Sequence, residues 1–342
     1  MKKNFFKGTV LATIMAFAGV SASAQDNGTL GGVQLSGSVD AYFRANATSV
    51  NELGEEPGTS FANDNGFALG MANLIAYKEF GKTAVVADLA FGPRADDATT
   101  GDRYVNQLYV TYAPLEELTF TFGKFNTFLG YEVISPVGNF NYSTSYMFSN
   151  GPFSHTGLKA DYAIDENFSV GAAIMNATDV TANNNGIGHY TGGLQLGYAN
   201  DKGSVFLNAL YGKESADAIP SYQVDLTTGW DLTDELYLGA NATYKDYEGS
   251  NHNGFYGVAL YPQYDFTDAF SLGLRGEYFG NVIANTDTNV IATTLTGAYT
   301  VGGLTIKPEL RLDIRENEDF QDLNGEPTEF LGSAVLGAVY AF

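Results

Sequence analysis

The chain contains no cysteine, which excludes a disulfide framework and any thiolate metal site. Histidine is nearly absent. His155, His189 and His252 are too far apart for ligand spacing, so a histidine metal site of the familiar kind is excluded too. Charged residues make up 16% of the chain, below the ~25% typical of soluble domains. Beyond residue 24 there is no unbroken apolar run long enough to cross a membrane as a helix, so a membrane-embedded chain must cross as strands.

What is present begins with Lys2, Lys3 and Lys7, an apolar stretch from Val10 to Val20, and the small residues Ser21 to Ala24. This pattern predicts a secretory signal peptide over 1-24, cleaved before Gln25. Its apolar core is about half the ~20 residues of a spanning helix, which weighs against a membrane anchor. Without the signal, 14 basic residues face 39 acidic ones, a net charge near −25. Such acidity argues against nucleic acid as a partner. Glycine (40), phenylalanine (24) and tyrosine (22) are abundant.

From Val33 onward one unit repeats, a run of about ten residues alternating apolar and polar positions. Sixteen runs are predicted, at 33-46, 67-78, 83-91, 104-112, 118-125, 154-162, 168-175, 189-199, 204-212, 221-230, 236-245, 254-264, 269-280, 289-300, 304-315 and 330-342. In the first, Val33, Leu35, Gly37, Val39, Ala41 and Phe43 share one face and Gln34, Ser36, Ser38, Asp40, Tyr42 and Arg44 the other. Near the end, Leu304, Ile306, Leu310, Leu312 and Ile314 oppose Lys307, Glu309, Arg311, Asp313 and Arg315.

Connections alternate between tight turns and longer loops at 47-66, 92-103, 126-153, 176-188, 213-220, 246-253, 281-288 and 316-329. That rhythm predicts an all-β fold in one domain over 25-342, an antiparallel up-and-down transmembrane β-barrel of about 16 strands (14 to 18). A soluble sandwich or propeller also alternates, but not with strictly alternating loop lengths and charges opposite Leu and Phe. The long loops hold 20 acids and three bases, Arg94, Arg103 and Lys213, so one mouth is acidic. Leu336, Ala338, Tyr340 and Phe342 share a face, which resembles the terminal strand that the barrel assembly machinery reads.

The stretch Gly123-Lys124-Phe125-Asn126-Thr127-Phe128-Leu129-Gly130-Tyr131-Glu132, followed by Asn139 to Tyr146 and by Pro152-Phe153-Ser154-His155-Thr156-Gly157, resembles the family called putative beta-barrel porin-2. The resemblance implies a porin-like barrel in the outer membrane of a Gram-negative bacterium. Thr144 stands where that family commonly has an Arg, which removes one cation from this loop.

Loop 126-153 carries one charge, Glu132, among Tyr131, Phe140, Tyr142, Tyr146 and Phe148. So apolar a loop is poorly suited to solvent, and it is expected to fold inward as a constriction; a lid over the mouth or a subunit contact is the alternative. Opposite it the alternation places Arg44, Arg275, Lys307, Arg311 and Arg315, interleaved with Glu277, Glu309 and Asp313. Together with Glu132 and Lys159 (and without Glu277) these form the expected pore-lining or constriction set. The acids either shape a field with the bases or simply neutralise them across strands.

Catalysis finds little support. Ser154 and His155, as neighbours, fall on opposite faces of one strand. Loop 316-329 has Asp322, Asn324 and Gly325 but lacks the first and last ligands of a calcium loop, where Phe320 and Leu331 stand. No cofactor is expected.

The leading expectation is thus a porin, a passive channel for small polar solutes and ions, with weak cation preference from the acidic mouth. A substrate-selective transporter is the alternative, and an outer-membrane enzyme or adhesin comes third. About eight residues separate Gln25 from the first strand, too few for a folded plug domain. Expected partners are outer-membrane lipid and lipopolysaccharide, small hydrophilic solutes, the assembly machinery and a possible homo-oligomer.

Overall fold

The computed structural model describes residues 29–52, 54–99, 104–182, 189–213, 219–249, 253–283 and 286–342. The expected signal peptide lies outside them. The alternating runs become sixteen strands: β1 Val33–Asn46, β2 Gly66–Phe80, β3 Thr83–Phe91, β4 Val105–Leu115, β5 Leu118–Asn126, β6 Ser154–Ala163, β7 Phe168–Met175, β8 Thr191–Ala199, β9 Gly203–Lys213, β10 Pro220–Asp231, β11 Leu236–Tyr247, β12 Gly254–Thr267, β13 Phe270–Ile283, β14 Thr286–Val301, β15 Leu304–Arg315 and β16 Phe330–Ala341. Each pairs antiparallel with its chain neighbours. Closure comes from β16 on β1, running from Ser333↔Asn46 to Ala341↔Ser38. Gly37 and Phe342 extend that seam with two reciprocal backbone bonds of 3.0 Å.

The two faces are inverted relative to a soluble protein. Along β15, Leu310 is 62% and Leu312 40% exposed, while Arg311 and Asp313 between them are 4% and 0% exposed. Apolar side chains point outward, where a bilayer would cover them, and polar ones point into the lumen. A closed ladder leaves no strand edge unpaired, which is the condition for crossing hydrocarbon with strands.

Seven connections on one end are tight turns and the eight on the other end include the long loops. One expectation is corrected: residues 281-288 are not a long loop. β13 and β14 continue pairing through Asn281↔Thr288, Val282↔Asp287 and Ile283↔Thr286, leaving only 284–285 between them. Val282, Ile283, Thr286 and Thr288 are β-branched, and their strand preference carries the hairpin outward. β4 likewise runs on to Leu115, past Tyr112, with a register irregularity where Pro114 offers no ladder N–H.

Among the described residues two short helices decorate the loops, α1 Pro93–Ala98 and α2 Tyr146–Asn150. The buried apolar clusters lie inside the barrel, and each joins the wall to the loop between β5 and β6. Tyr146 and Met147 pack on Phe255, Ala259 and Phe279. Ile134 and Phe148 pack on Met71 and Ala90. Leu129 packs with Met175 and Leu210, and Tyr142 with Val335 and Val339.

Candidate functional site

The loop between β5 and β6, residues 127–153, folds inward as its composition predicts, and charged wall residues hold it there. Arg275 of β13 donates to Glu132 Oε1 at 2.7 Å and to the Ser143 carbonyl at 2.7 Å. Glu132 in turn accepts from the Ser145 backbone N–H and hydroxyl. Ser145 also caps α2, accepting from Phe148 N at 3.0 Å. Glu277, two residues along β13, accepts from the Tyr146 and Met147 N–H groups at 2.9 and 2.8 Å.

β15 supplies the second set of anchors. Glu309 accepts from Tyr142 N at 2.9 Å and from the Ser143 hydroxyl. Lys307 donates to the carbonyls of Pro136 and Asn139. Arg311, paired with Asp313 at 2.8 Å, donates to the Thr144 carbonyl at 2.8 Å. Thr144 is fully buried, with Arg311 on its carbonyl, so an arginine there would add a further positive charge to a closed space. Tyr142 reaches across to donate to Asp40 of β1. Burial holds its phenol well above the ordinary range against the pull of Arg94, so it stays a donor.

Further loops close over this assembly. Arg44 on β1 donates to Asn65 and Asn46, while Arg315 donates to the Pro57 carbonyl and lies over Phe320. Tyr146 donates to that same carbonyl at 2.8 Å. Arg94 on α1, counted in the sequence as a mouth charge, is buried instead. It donates to the carbonyls of Ile134 and Tyr142 and lies 4.5 Å from the Phe61 ring centroid.

Loop and anchors fill the lumen along β12 to β15 and against Asp40 of β1 and Val335 and Val339 of β16. A cavity of ≈ 850 Å³ remains along β2 to β11 and the tight-turn ends of β1 and β16, bounded by Phe128, Tyr131, Val133 and Ser135 of the loop and reaching the tight-turn end at Asp165, Glu166 and Gly302. Its charged wall residues are Asp88 on β3 and Lys159 and Asp161 on β6. Asp88 accepts from three amides, Asn73, Asn106 and Gln107. Lys159 and Asp161 pair at 2.8 Å. Gly130, whose N–H donates to Asp225 at 2.9 Å, borders both this cavity and a water-sized space of ≈ 10 Å³ on its far side.

Of the nine residues singled out in the sequence, the structure therefore gathers Arg44, Glu132, Arg275, Lys307, Glu309, Arg311, Asp313 and Arg315 around the inserted loop and its roof. Only Lys159 borders the open cavity. The sequence reading left out Asp88, Asp161 and Gln195, although each occupies an inward position of its strand's alternation, and it left out the structural role of Arg94, which no strand pattern signals.

Among curated proteins no relative of significant similarity is found. Solved structures of the same fold include a loop-deletion mutant of OmpT from Vibrio cholerae (TM-score 0.61, 15% identity, 93% of this chain and 100% of that one). Others are the outer membrane channel DcaP of Acinetobacter baumannii (0.59, 16%, 92% and 99%) and an anion-selective porin from Comamonas acidovorans (0.62, 12%, 91% and 99%). At these identities the likeness is one of fold. A family model reaches further, matching residues 32–342, the whole barrel including the inserted loop. The chain belongs to the putative beta-barrel porin-2, OmpL-like family and is a porin of the Gram-negative outer membrane.

Proposed function

We propose that this porin is a passive channel of narrow bore, in which loop 127–153 sets the limiting width and small polar solutes pass along the β2 to β11 side. The observation that carries this reading is the asymmetry of the lumen: the loop is anchored by buried charges to one wall and leaves a cavity against the other. A structure that kept solute out would not need to hold its loop to one side. The channel weakly prefers cations. Among the described residues on the open side, Asp88, Asp161, Asp165 and Glu166 face one base, Lys159, and the acidic loops add to the same sign within a Debye length, ~8 Å at physiological salt.

No catalytic step belongs to this reading. The Ser154 hydroxyl is directed to Asp179 and the His155 ring to Thr127, so the two do not form a nucleophile and base. The apolar outer face of the barrel suits lipid or a neighbouring copy, and native mass spectrometry in detergent would count the subunits. Liposome swelling with sugars of graded size tests the channel itself. Entry should fall steeply with solute size; swelling rates that ignore size, or no swelling, would remove the reading.

A further inference from the structure

The cavity is lined by both aromatic rings and amides. Four half-buried rings, from β9, β11 and the adjoining loop, stand over glycines of β8, β10 and β11. A Cβ on Gly193 would meet Phe128 Cζ at 2.7 Å, one on Gly197 would meet Phe206 Cε1 at 2.8 Å, and ones on Gly229 and Gly239 would overlap Tyr237 and Tyr131. Each ring thus occupies the space a side chain would take, close against the strand backbone. Aromatic residues covering glycines in a sheet are a recognised packing device. Here all four rings also border the cavity.

Across from them Val86, Tyr109 and Phe125 stand beside polar groups engaged with one another: Asp88 accepts from three amides, and Lys159 is held by Asp161 with side-chain exposures of 3% and 10%. An anionic solute would therefore find no free cation among the described lining residues. The amides keep capacity, because each has four hydrogen-bonding positions. Asn73 uses one donor on Asp88 and one acceptor for Ser38, and Gln107 uses one donor on Asp88 and one acceptor for Asn126 N. Exposed ring faces together with unsaturated amides match a neutral solute with apolar C–H faces and a rim of hydroxyls. The volume of ≈ 850 Å³ lies in the upper range of small-molecule sites and suits more than one sugar ring.

We infer that the cavity beside the inserted loop is a low-affinity binding site for short neutral oligosaccharides, which dwell on Phe128, Tyr131, Phe206 and Tyr237 during passage. This deepens the channel reading and rests on it. The test is ion current through single channels in a planar bilayer, with maltotriose, cellotriose or raffinose added on the tight-turn side, and a polyethylene glycol of matched size as the non-stacking control. At least one trisaccharide should interrupt the current saturably at concentrations where the glycol does not. Phe206→Ala and Tyr237→Ala should each weaken that block about three- to tenfold, as loss of an aromatic contact implies; unchanged gel mobility on heating would show that they fold. Steady conductance that no trisaccharide blocks more than the glycol would overturn this inference and leave the channel standing. Folded protein with no conductance would overturn both.

Discussion

The two halves of the inner wall are built from the same alternation but put their polar residues to opposite uses. Along β13 and β15, Arg275, Glu277, Lys307, Glu309, Arg311 and Asp313 are all buried, and they bind backbone groups of the inserted loop or one another. Along β3 to β8 the inward positions bordering open space include Asn106, Gln107, Thr121, Ser169 and Gln195, with Asp88 and the Lys159–Asp161 pair among them. Charge thus gathers where a long loop with few charges must be held, and amides line the space left free. Buried ion pairs contribute little net stability over an apolar core but penalise any displacement that strips one partner. That makes the anchored half a means of fixing position.

The comparison is broken most severely by Arg275→Ala, which leaves Glu132 buried without its cation. Losing one partner of such a pair costs about 3–5 kcal/mol, here charged against the closed position of the loop while the barrel ladder is untouched. Chymotrypsin added to the folded protein should then cut among Tyr131 to Phe148, where the parent chain resists. Glu309→Gln should act the same way but less, about 1.5–3 kcal/mol, because it weakens bonds to a charged acceptor without deleting the side chain. Equal cleavage of both variants would show that the two strands do not anchor independently.

On the open half the effects are smaller. Asp88→Asn and Asp161→Asn should each lower the cation-to-anion permeability ratio, roughly twofold at ~0.1 M salt, as read from reversal potentials. Neutralising Glu316, Glu318, Asp319 and Asp322 in the loop before β16 should change it less, and the change should vanish as salt rises. A larger effect from the loop than from the wall would move the selectivity to the mouth, where the sequence alone placed it.

The mouth also has an internal order in acid. Asp97 is raised by partial burial and then by Asp64 and Asp96. Asp322 is lowered by the N–H groups of Glu326 and Asn324. Because its folded value is depressed, the support Asp322 gives its turn is present above the unfolded carboxylate range and is lost only as pH falls through the lower folded value. A carbon-13 carboxyl titration should show Asp97 protonating before Asp322 as pH falls; the reverse order would contradict the turn geometry.

Most of the fold was legible because a two-residue period is insensitive to everything but the inside and outside of a wall. Even the weakly alternating run at 204-212 falls within β9. The inserted loop was legible from composition alone, since Tyr142, Tyr146 and Phe148 could not be left in water. The division of labour among inward residues was not. Arg275 and Lys159 look alike in the alternation, and only the path of the loop decides that one is covered and the other borders open space. Arg94 was misread for the same reason, its burial depending on Phe61 and Tyr142, distant in the chain. The β13–β14 hairpin was underestimated because Asn281 and Asp287 read as loop residues, although their backbones are paired.

The central claim is that an anchored loop limits passage through a passive channel, and single-channel conductance of the parent and of Arg275→Ala under identical salt tests it most directly. The account predicts a small, steady conductance for the parent and a larger, noisier one for the variant, as the freed loop moves through the lumen. A folded variant conducting no better than the parent would show that the loop does not set the bore.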